Sequence, residues 1–329
     1  MGTVILLSSC KWEVKKIVVA MYDEEGYTRR LADYFCQHQK NLFDVRLFTS
    51  EESLRKFLIG QGTELLITGE RDWELFRGIN HGIHRLILLS DGQCVREDNG
   101  QAVLFKYQSA ESMLQEVLAI VADDEELKVP LPKKQMKGTE FVGVFAPYGG
   151  AGVTSMALQL AQKYSAQTRC LYLNFEVFDG KVLTDDERNN DIWNANMCRG
   201  MSDLIFFLRQ RQEKTAVKLQ SLIRRIGTIE GIGAVEDYRD LYELSAKDLE
   251  RLLLVLAEDT EYEKVVFDIG FFGDGSMELL KCMDKLFVPQ PATRSQQCKC
   301  KSWEALLKKE GLEECLAKMQ YVAVNHGRI

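Results

Sequence analysis

The sequence predicts an α/β protein of two doubly wound, parallel-sheet units, on three observations. Short β-rich runs alternate with helical patterns in both halves. An acidic stretch leading into Pro130, Pro132 and the basic pair Lys133-Lys134 separates the halves. Immediately beyond it come a strand, a glycine-rich loop and a helix. Residues 1–122 are accordingly assigned to the first unit, 123–139 to a linker and 140–329 to the second unit.

In the first unit the candidate strands are Ile17 to Met21, Val45 to Phe48, Leu65 to Thr68, Leu86 to Ser90 and Ala102 to Lys106. Thr49 followed by Glu52 has the spacing of a capping box, in which each side chain satisfies a backbone amide at a helix start. Leu54, Phe57 and Leu58 then fall on one helical face. Asp23 and Ser109 are expected as caps of the first and last helices. Asp23 and Glu24 could also ligate a metal, but a capping residue with first-turn negative charge accounts for both.

In the second unit Glu140 to Ala146 reads as a strand running into Pro147-Tyr148-Gly149-Gly150-Ala151-Gly152-Val153-Thr154-Ser155, with a helix over Met156 to Tyr164. Strand, glycine loop and helix are the parts of a phosphate cradle, because glycines let backbone amides approach an anion at a helix start. Further strands are expected at Cys170 to Phe175, Lys264 to Asp268, Lys285 to Val288 and Tyr321 to Val324. Helices are expected near Ser202 to Arg211 and, capped by Ser245, over Ala246 to Ala257.

Composition narrows the function classes. A hydrophobic share of 46% and a charged share of 28%, with five prolines in 329 residues, describe a globular chain. The formal charge of -7 gives no general affinity for nucleic acid, and no sequence-specific nucleic-acid partner is expected. No apolar run is long enough for a transmembrane segment, and the faint likeness of Leu7-Ser8-Ser9-Cys10 to a lipoprotein cleavage site has no basic region before it. Nine scattered cysteines read as reduced cytoplasmic thiols, and Cys298 and Cys300 lack a second pair at zinc spacing. Leu204, Phe207 and Leu208 share a helical face, read as packing a core or a subunit interface beside the solvated charges Arg209, Arg211 and Arg224-Arg225.

The element order of the first unit resembles the receiver (flavodoxin-like) domain of response regulators, and Lys106 stands where that family places its phosphate-neutralising lysine. The resemblance fails at the acids: Thr68 occupies the place of the phospho-acceptor aspartate and Met21 that of a metal-binding acid. A threonine cannot accept phosphate by carboxylate chemistry, so a pseudo-receiver used for protein contact is expected.

Residues Pro147 to Ser155 resemble the deviant Walker A loop of the ParA/MinD family of P-loop NTPases, Lys-Gly-Gly-x-Gly-Lys-Thr/Ser. The resemblance implies a nucleotide cradle formed by Gly149, Gly150, Ala151, Gly152, Val153, Thr154 and Ser155. It further implies magnesium at Thr154 and Asp268, and adenine beside Asn325. Two departures stand out: Val153 replaces the lysine that reaches the terminal phosphates, and Tyr148 replaces the signature lysine that crosses to a partner subunit. Losing one charge-assisted contact weakens affinity roughly ten- to a hundredfold, and hydrolysis suffers further. Where the family carries an Asp-x-Asp pair that positions water, this chain has Asn174 and Glu176, so no residue is assigned a catalytic role. ATP with magnesium, or no cofactor at all, are both compatible with these residues.

Fused in this order, the two units are similar to the CpaE/TadZ family, which helps place the Flp (tight adherence) pilus machinery in the cell. Lys106-Tyr107-Gln108-Ser109-Ala110-Glu111, Gly200-Met201-Ser202-Asp203-Leu204 and Tyr238-Arg239-Asp240-Leu241-Tyr242-Glu243-Leu244-Ser245 carry that likeness. It implies a non-enzymatic localisation scaffold, a homodimer with pilus secretion and assembly proteins as partners, cytoplasmic and recruited to the inner face of the membrane or a cell pole. The sequence after Asn325 is short against that family, which leaves the base pocket and the closing sheet edge open. Two alternatives stand beside it: an active ParA/MinD-type ATPase switching by nucleotide-dependent dimerisation, and an atypical response-regulator signalling protein.

Overall fold

The computed structural model describes residues 16–22, 27–73, 76, 82–92, 101–129, 138–178, 200–210 and 214–323. Cys10, Asp23, Glu24, Pro130, Pro132, Lys133, Lys134, Arg211 and Asn325, all invoked above, lie outside them. The chain divides into two compact units, Met1–Pro132 and Lys133–Ile329.

The first unit is a five-stranded parallel sheet of β1 (Ile17–Tyr22), β2 (Phe43–Phe48), β3 (Thr63–Gly69), β4 (Ile83–Ser90) and β5 (Ala102–Phe105), in the order β2-β1-β3-β4-β5. This is a doubly wound order in which the chain reverses direction beside β1. Helices α1 (Tyr27–His38), α2 (Glu51–Gly60), α3 (Glu70–Trp73) and α4 (Ala110–Asp123) connect or follow the strands. Ala20, Tyr22, Leu66, Leu86 and Leu88 form one apolar layer with Leu54 and Leu58 of α2 and with Phe76, whose ring meets Tyr22 edge-on at 5.0 Å. The alternate residues Val19, Met21, Leu65, Ile67 and Ile87 are buried on the opposite face, as an all-parallel sheet requires.

One helix start differs from the sequence expectation. Helix α2 begins one residue later than Thr49 predicts, with Ser50 at the N-cap and no side-chain cap bond. Glu52 does not turn back to the cap: it pairs with Lys56 at 2.7 Å while Glu51 pairs with Arg55 at 2.6 Å, both at i,i+4. Ser109 does cap α4, its hydroxyl accepting from the Ser112 amide at 3.0 Å. The acidic run assigned to the linker starts as the end of that helix: Asp124 receives the amides of Glu126 and Leu127 and lies 3.1 Å from His84 Nε2, and Leu127 is buried.

The second unit is a seven-stranded sheet of β6 (Glu140–Phe145), β7 (Cys170–Phe175), β8 (Arg224–Ile226), β9 (Ile229–Ile232), β10 (Lys264–Ile269), β11 (Lys285–Pro289) and β12 (Met319–Val322). Its order is β12-β11-β6-β10-β7-β9-β8, all parallel except β8, which runs antiparallel to β9. The hairpin β8–β9 was not expected from the sequence, because its strands are short and charged. The helices are α5 (Val153–Ser165), α6 (Met201–Gln210), α7 (Thr215–Leu222), α8 (Tyr238–Tyr242), α9 (Ala246–Glu258), α10 (Asp274–Cys282), α11 (Arg294–Lys309) and α12 (Glu313–Lys318).

Strand β10 shows how the two faces are divided. Val266 packs with Met156, Ala157 and Ala161 of α5, whereas Val265, Phe267 and Ile269 join the larger core with Leu204 and Leu208 of α6 and Leu252 and Leu256 of α9. Phe207 is buried as well, so the apolar face of α6 is core. Arg209 of the same helix reaches Glu243 and Asp248. Helix α9 starts in a full capping box between Ser245 and Asp248. Ser245→Ala should therefore cost about 1 kcal/mol in urea unfolding. Thr49→Ala should stay within about 0.5 kcal/mol, because it removes no cap bond.

Candidate phosphate-binding site

Three parallel strands deliver the site to one edge of the sheet. In register, Asp268 of β10 lies beside Val144 of β6 and Asn174 of β7. The loops leaving the C-terminal ends of these strands meet there, where open parallel sheets place their ligands. The loop after β6 turns through two left-handed glycines, Gly150 (φ 67°) and Gly152 (φ 78°), the second forming the N-cap of α5. Side chains are strained in that conformation, which accounts for glycine at both places. A Cβ at Gly149 or Gly150 would meet nothing within 4 Å, so the loop backbone borders open space.

That space is a cavity of about 740 Å³ whose wall includes the whole loop from Pro147 to Ser155. Gly149, Gly150, Ala151, Gly152, Val153, Thr154 and Ser155 thus line one cavity. Glu176, Gly270, Phe271 and Phe272 also line it, as do Lys299, Ser302, Trp303 and Leu306 of α11.

Both lysine replacements are built into the fold. Tyr148 is buried and donates its hydroxyl to the Pro289 carbonyl at the end of β11, at 2.7 Å; burial pushes its ionisation upward. It braces the loop against its own sheet. Val153 packs with the apolar layer beneath α5. Neither side chain adds a charge to the cavity.

Asn174, Glu176 and Asp268 take three different roles. Asn174 is buried and absent from the cavity wall; its Oδ1 accepts the Glu176 amide at 2.9 Å and closes the turn after β7. Glu176 lines the cavity and accepts the Thr154 hydroxyl on Oε1 at 3.2 Å, with burial raising its pKa and the Thr154 bond opposing the rise. Its carboxylate lies against Gly270, where an added Cβ would sit 1.9 Å from Oε2, so glycine is obligatory there while Glu176 keeps this position. Sequence reasoning missed this contact, which joins residues remote in the chain.

Asp268 is fully buried. Its Oδ2 accepts the Tyr172 hydroxyl at 2.7 Å, and its Oδ1 has no hydrogen-bond partner among the described residues. Burial pushes its pKa up to about 7. The Tyr172 bond resists that rise, the nearby Glu176 charge adds to it, and Thr154 favours the ionised form.

An orphaned carboxylate oxygen, a threonine hydroxyl and a second carboxylate in one place are hard oxygen donors of the kind magnesium takes, few in number so that water and phosphate complete the shell. Among the described residues no cluster of three or more histidines, cysteines or acids could hold a metal by itself. Thr154 and Glu176 line the cavity and could meet a magnesium–polyphosphate there, whereas Asp268, fully buried, is not part of the cavity wall. Asn325, where the adenine contact is expected, lies outside the described residues.

No family model matches this sequence, and no curated protein matches it. Among solved structures, the chain is similar to a plasmid partition protein from Borrelia burgdorferi, at 14% identity and a TM-score of 0.43 over 58% of this chain and 82% of that one. It is also similar to a ParA family ATPase from Chlorobium tepidum TLS, at 13% identity and a TM-score of 0.45 over 58% and 76% of the two chains. A third is an ATP complex of a Cyanothece McdA variant, at 15% identity and a TM-score of 0.40 over 54% and 67%. Likenesses this distant carry nothing for the site, whose chemistry is taken from its own residues.

The Asp268 carboxyl ionises near 3.8 in an unfolded chain and at about 7 when folded, so the folded state holds an extra proton between those values. Its favourable contribution is complete below the unfolded value and is lost as the pH rises through about 7, a cost on the order of 4 kcal/mol at pH 8. Asp268→Asn should be more stable than the parent by roughly 1–3 kcal/mol at pH 8. The gap should close between pH 7 and pH 4 in urea unfolding series; a variant equally destabilised at every pH would contradict the buried-charge assignment.

Proposed function

We propose that the chain is a localisation scaffold of a pilus (Flp/Tad) assembly system, whose second unit binds a nucleoside triphosphate without turning it over. The observation that carries the nucleotide part is the glycine loop: its two left-handed turns border an open cavity at the start of α5, while both lysine positions are occupied by residues packed into the fold. Such a loop can cradle phosphates through backbone amides and helix dipole. Transition-state charge, however, finds no lysine on it, and the water-positioning acids of the family pattern are a turn-closing Asn174 and a Glu176 engaged with Thr154.

The scaffold part is supported by the first unit. Thr68 is completely buried at the end of β3, its hydroxyl without a partner among the described residues. Lys106 spans Asp91 at 3.8 Å and the Tyr27 ring at 5.2 Å, and the Tyr27 hydroxyl in turn donates to the Lys106 carbonyl. This lysine is committed to local contacts, which favours a pseudo-receiver that binds protein. The pilus system as the setting, and dimerisation, rest on the sequence resemblance. Among the described residues no helix is long and apolar enough to cross a membrane.

Calorimetric titration with ATP and magnesium should give saturable binding, and phosphate release should not exceed that of a Thr154→Ala control. Acetyl phosphate should leave the first unit unlabelled. Turnover above that control would support the switching ATPase instead, and labelling would support the response-regulator alternative.

A further inference from the structure

The loop's missing positive charge raises the question of what faces it. Lys299, Ser302, Trp303 and Leu306 stand at i, i+3, i+4 and i+7 of α11, one continuous stripe that helps line the cavity bordered by the glycine loop. Lys299 is the cationic side chain among the described cavity residues, and it is exposed. The helix carrying it is firmly set. Its start is a reciprocal capping box between Thr293 and Gln296, with Thr293 Oγ1 accepting at 3.2 Å and Gln296 Oε1 at 3.1 Å. Farther along, Cys300, Trp303 and Leu307 bury its core face.

Trp303 ties this stripe to the strand that feeds the loop. Trp303 is 4% exposed, and its indole N–H is buried with no hydrogen-bond partner among the described residues, although the residue borders the cavity. Its ring is held 4.8 Å from that of Phe145, the residue with which β6 ends before the loop.

We propose that Lys299 supplies, from the part of the cavity wall formed by α11, the cationic contact to a bound polyphosphate that the glycine loop lacks, with the Ser302 hydroxyl as a neighbouring donor. The inference rests on the nucleotide-binding reading of this cavity and adds to it the residue that replaces the loop lysine.

The test is calorimetric titration of the full chain with inorganic tripolyphosphate, with ATP and with adenosine, for the parent and for Lys299→Ala, Lys299→Arg and Lys301→Ala. Lys301 is exposed on the same helix and absent from the cavity wall, which makes it the control for general charge. Lys299→Ala should bind both phosphate ligands roughly tenfold or more weakly, the worth of one charge-assisted contact, whereas Lys299→Arg should stay near the parent. Lys301→Ala should bind as the parent does. ATP and tripolyphosphate bound equally by the parent and Lys299→Ala would overturn the Lys299 assignment and leave the nucleotide reading standing. No binding of either ligand by the parent would overturn both. Adenosine binding as tightly as ATP would overturn the phosphate contact by showing that the cavity selects the base.

Discussion

The site depends on the parallel alignment of β6, β10 and β7. Because β10 lies between the other two in register, the glycine loop, Asp268 and the Glu176 turn emerge side by side at one edge of the sheet. Alternation along β10 then sends Phe267 and Ile269 into the larger core and leaves Val266 and Asp268 on the face covered by α5. A carboxyl is thereby held in an apolar layer beside the first turn of a helix. Its raised pKa, its bond from Tyr172 and its unpaired oxygen all follow from that placement.

The chemistry of the cavity is one of opposed substitutions. Where the loop of the family it resembles has two lysines, this chain has an apolar and an aromatic residue, and both are used to hold the loop. Glu176 adds a negative charge against Thr154, which any incoming anion would meet. A phosphate bound there would need positive charge from elsewhere, such as a cation beside Thr154 or the lysine that α11 brings to the cavity wall. A metal ion there would also favour the ionised Asp268 that burial disfavours.

Much of this was legible in the sequence because it is local. Ser109 and Ser245 announce their helices through caps within one turn, and Gly150 and Gly152 mark left-handed backbone in a strand–loop–helix passage. What was not legible is tertiary. The Thr49–Glu52 pattern is a valid box by spacing, but Glu52 has a competing lysine one turn on. Tyr148 could equally have pointed outward until β11 brought the Pro289 carbonyl within reach. Gly270 reads as an ordinary glycine until Glu176 is seen against it, and Lys299 sits far along the chain on a helix whose cavity-facing stripe carries no motif.

The central claim is that the glycine loop and α11 are two walls of one phosphate site. Hydrogen–deuterium exchange of the full chain, with and without magnesium and ATP, tests it most directly because it locates the ligand without presuming which side chains matter. The account predicts slowed exchange in the peptides covering Gly149 to Met156 and in those covering Lys299 to Leu306, each at nucleotide concentrations that saturate binding. Nucleotide binding that leaves the glycine-loop amides unprotected would contradict it.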